Sequence, residues 1–120
     1  MNLAELPQKE IERFGEHVAV IFNDREYTNV QMRQMARKLA NALKKIGIGK
    51  GDRVIIQMPN CPEVYLSFQA VYIVGAVIVP INFMVGDAET AYIYKDTGAK
   101  AVISSKVFLP KIEACRKTAA

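Results

Sequence analysis

Four places in the sequence hold residue types that do chemistry in other settings. They are glycines 47, 49 and 51 around Lys50, the run Thr97-Gly98-Ala99-Lys100, the run Ser104-Ser105-Lys106, and the thiol of Cys61. The first two have the composition of a phosphate loop. Such a loop follows a strand and opens a helix, so that helix amides and the positive end of the dipole point at the anion. Both runs here follow a helical pattern and precede a strand pattern, so they read as helix stops and turns. Ser104-Ser105-Lys106 does lie between a strand and a helix, where hydroxyls and amides could bind an anion. It lacks glycine, however, and reads as an N-cap, a role serine favours. Cys61 lies in the first turn of a helix, a position that can lower a thiol pKa. No base accompanies it, and packing is its default role. His17, the single histidine, has no Ser or Cys partner nearby and no second metal ligand, which makes it a surface or edge-strand residue.

The elements that position these residues follow from periodicity. Val18 to Phe22 alternates and is β-branched, Asn23-Asp24 offers a turn, and Arg25-Glu26-Tyr27 continues as a second strand, so a hairpin is expected. Thr28 and Gln31 have capping-box spacing, and apolar residues from Val30 to Ile46 recur at helical spacing, with Gly47 fitting the C′ position. RVIIQM from Arg53 is a buried strand ended by Pro59. Asn60 then caps an apolar helix, with Glu63 reaching back and Pro62 tolerated early. That helix is apolar on nearly every face, which predicts burial between layers. Ala76 to Ile81 is a strand, Asp87 caps a helix that stops at Gly98, Ala101 to Ser104 is a strand, and Lys106 to Lys117 is an amphipathic helix. Strands alternating with helices predict an α/β domain. The expected fold is a mostly parallel sheet flanked by helices, with an N-terminal β-hairpin, and residues 1–120 forming a single domain.

Composition narrows the function classes. The formal charge of +4 arises from 16 Lys and Arg against 12 Asp and Glu, with the basic residues thickest between Arg33 and Arg53. Arg33, Arg37, Lys38, Lys44 and Lys45 read as the solvent side and last turn of a helix, where cations face the negative end of the dipole. No aromatic residue interleaves with them to stack on bases, so a nucleic-acid interface is disfavoured. Cys61 and Cys115 match neither a metal spacing nor a redox pair and read as free thiols of a cytoplasmic protein. The first fifteen residues lack the features of a secretory signal. Val64 to Val85 approaches the length of a membrane span, but Gly75, Pro80 and the β-branched VIVPI divide it into a helix and a buried strand.

One set of residues, taken in order, carries a resemblance. Tyr27-Thr28, Leu39-Ala40, Gly47, Gly51-Asp52-Arg53-Val54, Pro59-Asn60, Gly75-Ala76-Val77 and Val79-Pro80-Ile81-Asn82 are followed by Tyr92, Asp96 and Ala99-Lys100. This pattern resembles the amino-terminal region of the AMP-binding, adenylate-forming enzymes, and Asn82-Phe83 makes it most similar to the fatty acyl-CoA synthetases. The resemblance implies a reaction in which a carboxylate and ATP give an acyl-adenylate and pyrophosphate, and the acyl group then passes to coenzyme A. It implies ATP, magnesium and CoA for the full-length enzyme and none bound by this chain. The Lys-Gly loop and Thr-Gly-Asp motif that relatives use are absent from this sequence, so no catalytic residue and no metal ligand is assigned.

Asn82, Phe83 and Met84 match a place where some relatives approach the pantetheine arm of CoA, with packing as the other reading. In the resembled fold this segment belongs to a larger sheet. If half a dozen apolar side chains lack their cover, the loss is on the order of 10 kcal/mol, as large as a domain's stability. The expected partner is the rest of such an enzyme or, for the isolated chain, a second copy in a dimer. The alternative function is a stand-alone dimeric interaction module on the same scaffold. A flavodoxin-like nucleotide binder is disfavoured by the glycine context.

Overall fold

A computed structural model describes residues 2–120. In chain order the elements are α1 (Leu6–Phe14), β1 (Val18–Phe22), β2 (Arg25–Thr28), α2 (Asn29–Lys45), β3 (Arg53–Gln57), α3 (Pro62–Val74), β4 (Val77–Pro80), α4 (Asp87–Thr97), β5 (Ala101–Ser104) and α5 (Leu109–Ala119), the last preceded by a 3₁₀ turn at Lys106–Phe108. Strands β1 and β2 form an antiparallel hairpin, and the other three form a parallel sheet of order β4-β3-β5. The expected α/β architecture with its N-terminal hairpin is therefore present.

Local chemistry explains the boundaries. Asn23 and Asp24 hold φ of 50° and 62°, as a two-residue hairpin turn demands, and both residue types tolerate that left-handed region. At α2 the capping box closes in both directions, Gln31 N–H donating to Thr28 Oγ1 at 3.1 Å and Thr28 N–H to Gln31 Oε1 at 2.9 Å. The same helix ends with Ile48 N–H donating to Leu43 O and Gly47 N–H to Lys44 O, the paired closure that a left-handed C′ residue permits, and Gly47 supplies it at φ 94°.

Strand β3 divides the core. Its side chains alternate, so Val54 and Ile56 pack with Ala40 and Leu43 of α2 and Ala70, Val71 and Val74 of α3. Ile55 faces the other way, toward Ala91 and Tyr94 of α4 and Cys115 of α5. Two helices therefore cover each face, and β3 is hydrogen-bonded along both edges. Among the described residues no helix is long and apolar enough to cross a membrane.

Several expectations are corrected. Helix α1 is a further element, with Pro7, Ile11 and Phe14 at helical spacing although none of its residues is buried. Polar contacts dock it instead: Asn29 Nδ2 donates to Glu10 Oε2 and to Gly15 O, each at 3.0 Å, and Arg37 Nη2 donates to Gln8 Oε1 at 3.2 Å. Arg33 is buried rather than solvent-facing. Positions 29, 33, 36, 40 and 43 form one helical stripe, so the core side of α2 includes the arginine. Burial, with Arg37 adding repulsion, lowers its pKa. The N-cap of α3 is Cys61, whose side chain makes no capping bond, while Asn60 stays exposed. Gly86 is the N-cap of α4, and Asp87 lies inside the first turn with Glu89, where negative charge meets the positive end of the dipole. Helix α3 is also less enclosed than its composition predicts, with Tyr65 exposed and Leu66, Phe68, Tyr72 and Ile73 half-buried.

Candidate functional site

The glycine runs lie at the amino end of the sheet, and the Gly49 and Gly51 amides are already committed. Gly49 N–H donates to Asp52 Oδ2 at 2.8 Å, and Gly51 N–H donates to Gly75 O at 3.0 Å. Lys100 Nζ sits 3.0 Å from Asp52 Oδ1. The Gly49 amide and then Lys100 hold the Asp52 carboxyl below the usual carboxylate range. Arg53 Nη1 donates to Thr97 O at 3.1 Å, and Gly98, at φ 60°, ends α4. Both runs are turns that bind the chain to itself, as their sequence context predicts.

The opposite, carboxyl end of the sheet is open. From β3 the chain enters α3 on one face. From β5 it enters the 3₁₀ turn and α5, and α5 covers the other face. The crevice between β3 and β5 is thus a topological switch point, the place where ligands bind in open α/β sheets. A groove of about 450 Å³ lies there, lined by Leu39, Met58, Cys61, Glu63, Leu66, Ser67, Ile103, Ser104 and Ser105. A second groove of about 300 Å³ opens on the other side of Met58, between the ends of β3 and β4, and is lined in part by Asn60, Phe68, Ile81, Asn82 and Phe83.

The structure therefore gathers three of the sequence candidates at one crest. Cys61 and Ser104-Ser105 border the first groove, while Asn82 and Phe83 border the second. Met84 lines neither and is 77% exposed. Asn82 is committed to the local turn, its Oδ1 accepting Met84 N–H at 2.9 Å, and the Phe83 ring lies 5.5 Å from that of Phe108. The Cys61 thiol is pushed up in pKa, chiefly by burial, so the helix start does not make it a thiolate. Ser105 occupies the N-cap position of the 3₁₀ turn without making a cap bond, and its Oγ is buried with no partner. Ser104 Oγ instead donates to Gln57 O. His17 is remote from this crest, its Nε2 3.1 Å from Glu10 Oε1 where α1 meets the hairpin. Among the described residues no three His, Cys, Asp or Glu side chains come together to hold a metal ion.

Beneath the crest lies a polar cluster that the motif reading misses. Gln57, 2% exposed, accepts from Tyr94 OH at 2.8 Å and donates through Nε2 to Thr90 Oγ1 at 3.4 Å. Thr90 Oγ1 in turn donates to Val85 O at 3.4 Å. One glutamine thereby ties the end of β3 to α4, β5 and the β4–α4 loop. A polar residue in an otherwise apolar buried strand is the one signal that could have found it, since such a group needs partners.

Relatives place this geometry in a class. The inhibitor-bound N-terminal domain of FACL13 from Mycobacterium tuberculosis superposes with a TM-score of 0.89 at 33% identity, over 96% of this chain and 29% of that one. The anthranilate CoA ligase AuaEII, in complex with anthranoyl-AMP, superposes with a TM-score of 0.91 at 30% identity, over 98% of this chain and 23% of that one. The fold is thus that of the amino-terminal part of acyl-CoA ligases. The sequence model of the AMP-binding enzymes matches residues 7–120, and the chain belongs to that family. The long-chain-fatty-acid–CoA ligase FadD13 of Mycobacterium tuberculosis is 40% identical over 96 residues, which are 80% of this chain and 19% of that enzyme. The chain spans about a fifth of the length of the curated relatives it matches.

The Tyr94–Gln57 bond carries a testable consequence. Replacing Tyr94 by Phe leaves Gln57 Oε1 buried without its donor and should lower the unfolding free energy by about 1–3 kcal/mol, measured by urea denaturation at pH 7. Burial, with a smaller contribution from Cys115, pushes the Tyr94 pKa up to about 12. The fold therefore disfavours the phenolate. That part of its stability is present below pH 10 and lost as pH rises from 10 to about 12, and the Tyr94→Phe variant should lack this alkaline component.

Proposed function

We propose that this chain is the amino-terminal part of an ATP-dependent acyl-CoA synthetase acting on a fatty or related carboxylic acid, and that alone it catalyses neither the adenylation nor the transfer to CoA. The observation that carries this reading is the family match across residues 7–120 combined with coverage of only 19% of FadD13. The 40% identity to a long-chain-fatty-acid–CoA ligase supports the substrate class.

The chemistry of the crest supports the need for further segments. A migrating pyrophosphate calls for cationic and amide donors, and the adenylation transition state calls for a positive charge. The side chains around the first groove are apolar, hydroxyl or thiol, with Glu63 the one charged residue, an anion. In this reading ATP, magnesium and CoA are held mainly by segments other than this one. In the same reading the chain supplies a folded wall, and its turn at Asn82-Phe83-Met84 is the segment that approaches the pantetheine arm.

A second reading, a dimeric interaction module on the same scaffold, is favoured by one observation. Apolar side chains stand uncovered on the hairpin, with Ile21 70% exposed beside Val18 and Phe22, and on the 3₁₀ turn, with Val107 82% exposed. Surfaces of this kind mark an interface when they are contiguous.

Pyrophosphate release with ATP, magnesium and CoA tests the first reading. The 120-residue chain should release none with fatty, aryl or short acids, whereas a polypeptide that joins it to the remaining four-fifths of a ligase should release pyrophosphate with a fatty acid. Turnover by the isolated chain, or failure of the extended polypeptide with all three acid classes, would contradict it. Sedimentation of the isolated chain at micromolar concentration should show a dimer, and a stable monomer would count against self-association.

A further inference from the structure

We propose that Lys111 is a positioning residue that latches the β4–α4 loop, residues 81–86, and thereby sets the wall of the groove between β3 and β4. The functional weight of that wall rests on the ligase reading above; the latch itself does not.

An ammonium group has three donors and no acceptor; the loop turns two carbonyls toward this one, and the first residue of α4 adds a carboxylate oxygen at longer range. Lys111 Nζ, on a side chain only 21% exposed, donates to Phe83 O at 3.3 Å and to Val85 O, and lies 3.7 Å from Asp87 Oδ1. The two carbonyls belong to irregular backbone outside the sheet ladder, and Val85 O has only the Thr90 hydroxyl, at 3.4 Å, as a further donor. A partly buried carbonyl needs some partner, and a charged donor is stronger than a neutral one. The bonds join residues 26 and 28 apart in sequence, so they link α5 to a loop that α5 does not otherwise continue.

Inside the loop, Asn82 fixes the shape of the turn. Its Oδ1 accepts Met84 N–H at 2.9 Å and its carbonyl accepts Val85 N–H at 3.1 Å. These two bonds give the turn its shape, but with residues 82, 84 and 86 exposed they open readily unless the loop is also held from outside. The hold comes from outside the turn, through the ammonium, the Thr90 hydroxyl on Val85 O, the Ile81 N–H on Ile56 O at the start of the loop, and the Phe83–Phe108 ring contact. Asn82 and Phe83 form one side of the groove, so a displaced turn moves that wall. In the ligase reading the same turn approaches the thiol arm, and Lys111 then acts on that arm through the loop rather than by contact.

Two measurements on the 120-residue chain test the latch, and neither depends on catalysis, so failure here is distinguishable from failure of the ligase assignment. In the unsubstituted protein, nitrogen-detected NMR of the lysine ammonium groups should show the Lys111 signal with slowed proton exchange while exposed lysines are averaged by water; a Lys111 signal as fast as theirs would overturn the proposal. In Lys111→Met, which keeps the stem and removes the charge, hydrogen exchange at Met84 and Val85 should rise roughly fivefold or more. Exchange in β3 and α2 should stay unchanged. Unchanged exchange in the loop, or an equal rise throughout the protein, would overturn it.

Discussion

Everything else in this structure depends on strand β3 being occupied on four sides at once. Its backbone pairs with β4 on one edge and β5 on the other, and its side chains are buried on both faces. Val54, Ile55 and Ile56 are at most 3% exposed, and because alternate residues point in opposite directions, a single pleat separates the α2–α3 layer from the α4–α5 layer. A shift of one residue in register would exchange the two layers. The strand's last residue, Gln57, then carries the polar network on which the crest is set.

That constraint also separates turn chemistry from groove chemistry. At the amino end of the sheet the Gly49 amide and Lys100 pair with Asp52, the Gly51 amide with Gly75 O and Arg53 with Thr97 O, which commits those donors within the chain. At the carboxyl end, divergence of the chain after β3 and β5 leaves two grooves on either side of Met58.

Much of this was legible because local signals agreed with the global arrangement. The Thr28–Gln31 box, the Asn23-Asp24 turn and the β-branched strands each have a local physical cause, and each is present in the structure. The ordered motifs from Tyr27 to Lys100 mark the family in the sequence itself. Illegible features were those with tertiary causes. Helix α1 has Pro7, Ile11 and Phe14 at helical spacing but docks by polar side chains and buries no residue, so its period does not mark a core face. The burial of Arg33 follows from the stripe of α2 facing its neighbours, which a charge count cannot see. At α3, Asn60 and Cys61 compete for one cap, and the extended backbone of Cys61 decides it. Of the three residues singled out near Asn82, the sequence could not distinguish Met84, which faces solvent, from Phe83, which lines a groove. Lys111 gave no local sign at all, since its partners lie more than twenty residues away.

The measurement that bears most directly on the central claim compares two truncations in the same sheet. Ile55 is fully buried in β3, whereas Val77 in the edge strand β4 is 48% exposed. Equilibrium urea unfolding should find Ile55→Ala destabilised by about 2–5 kcal/mol, the usual loss for a buried isoleucine. Val77→Ala should cost less than about 1 kcal/mol, since little apolar area leaves the core. Equal losses at the two sites, or a larger loss at Val77, would contradict the claim that one central strand holds both layers and the crest above them.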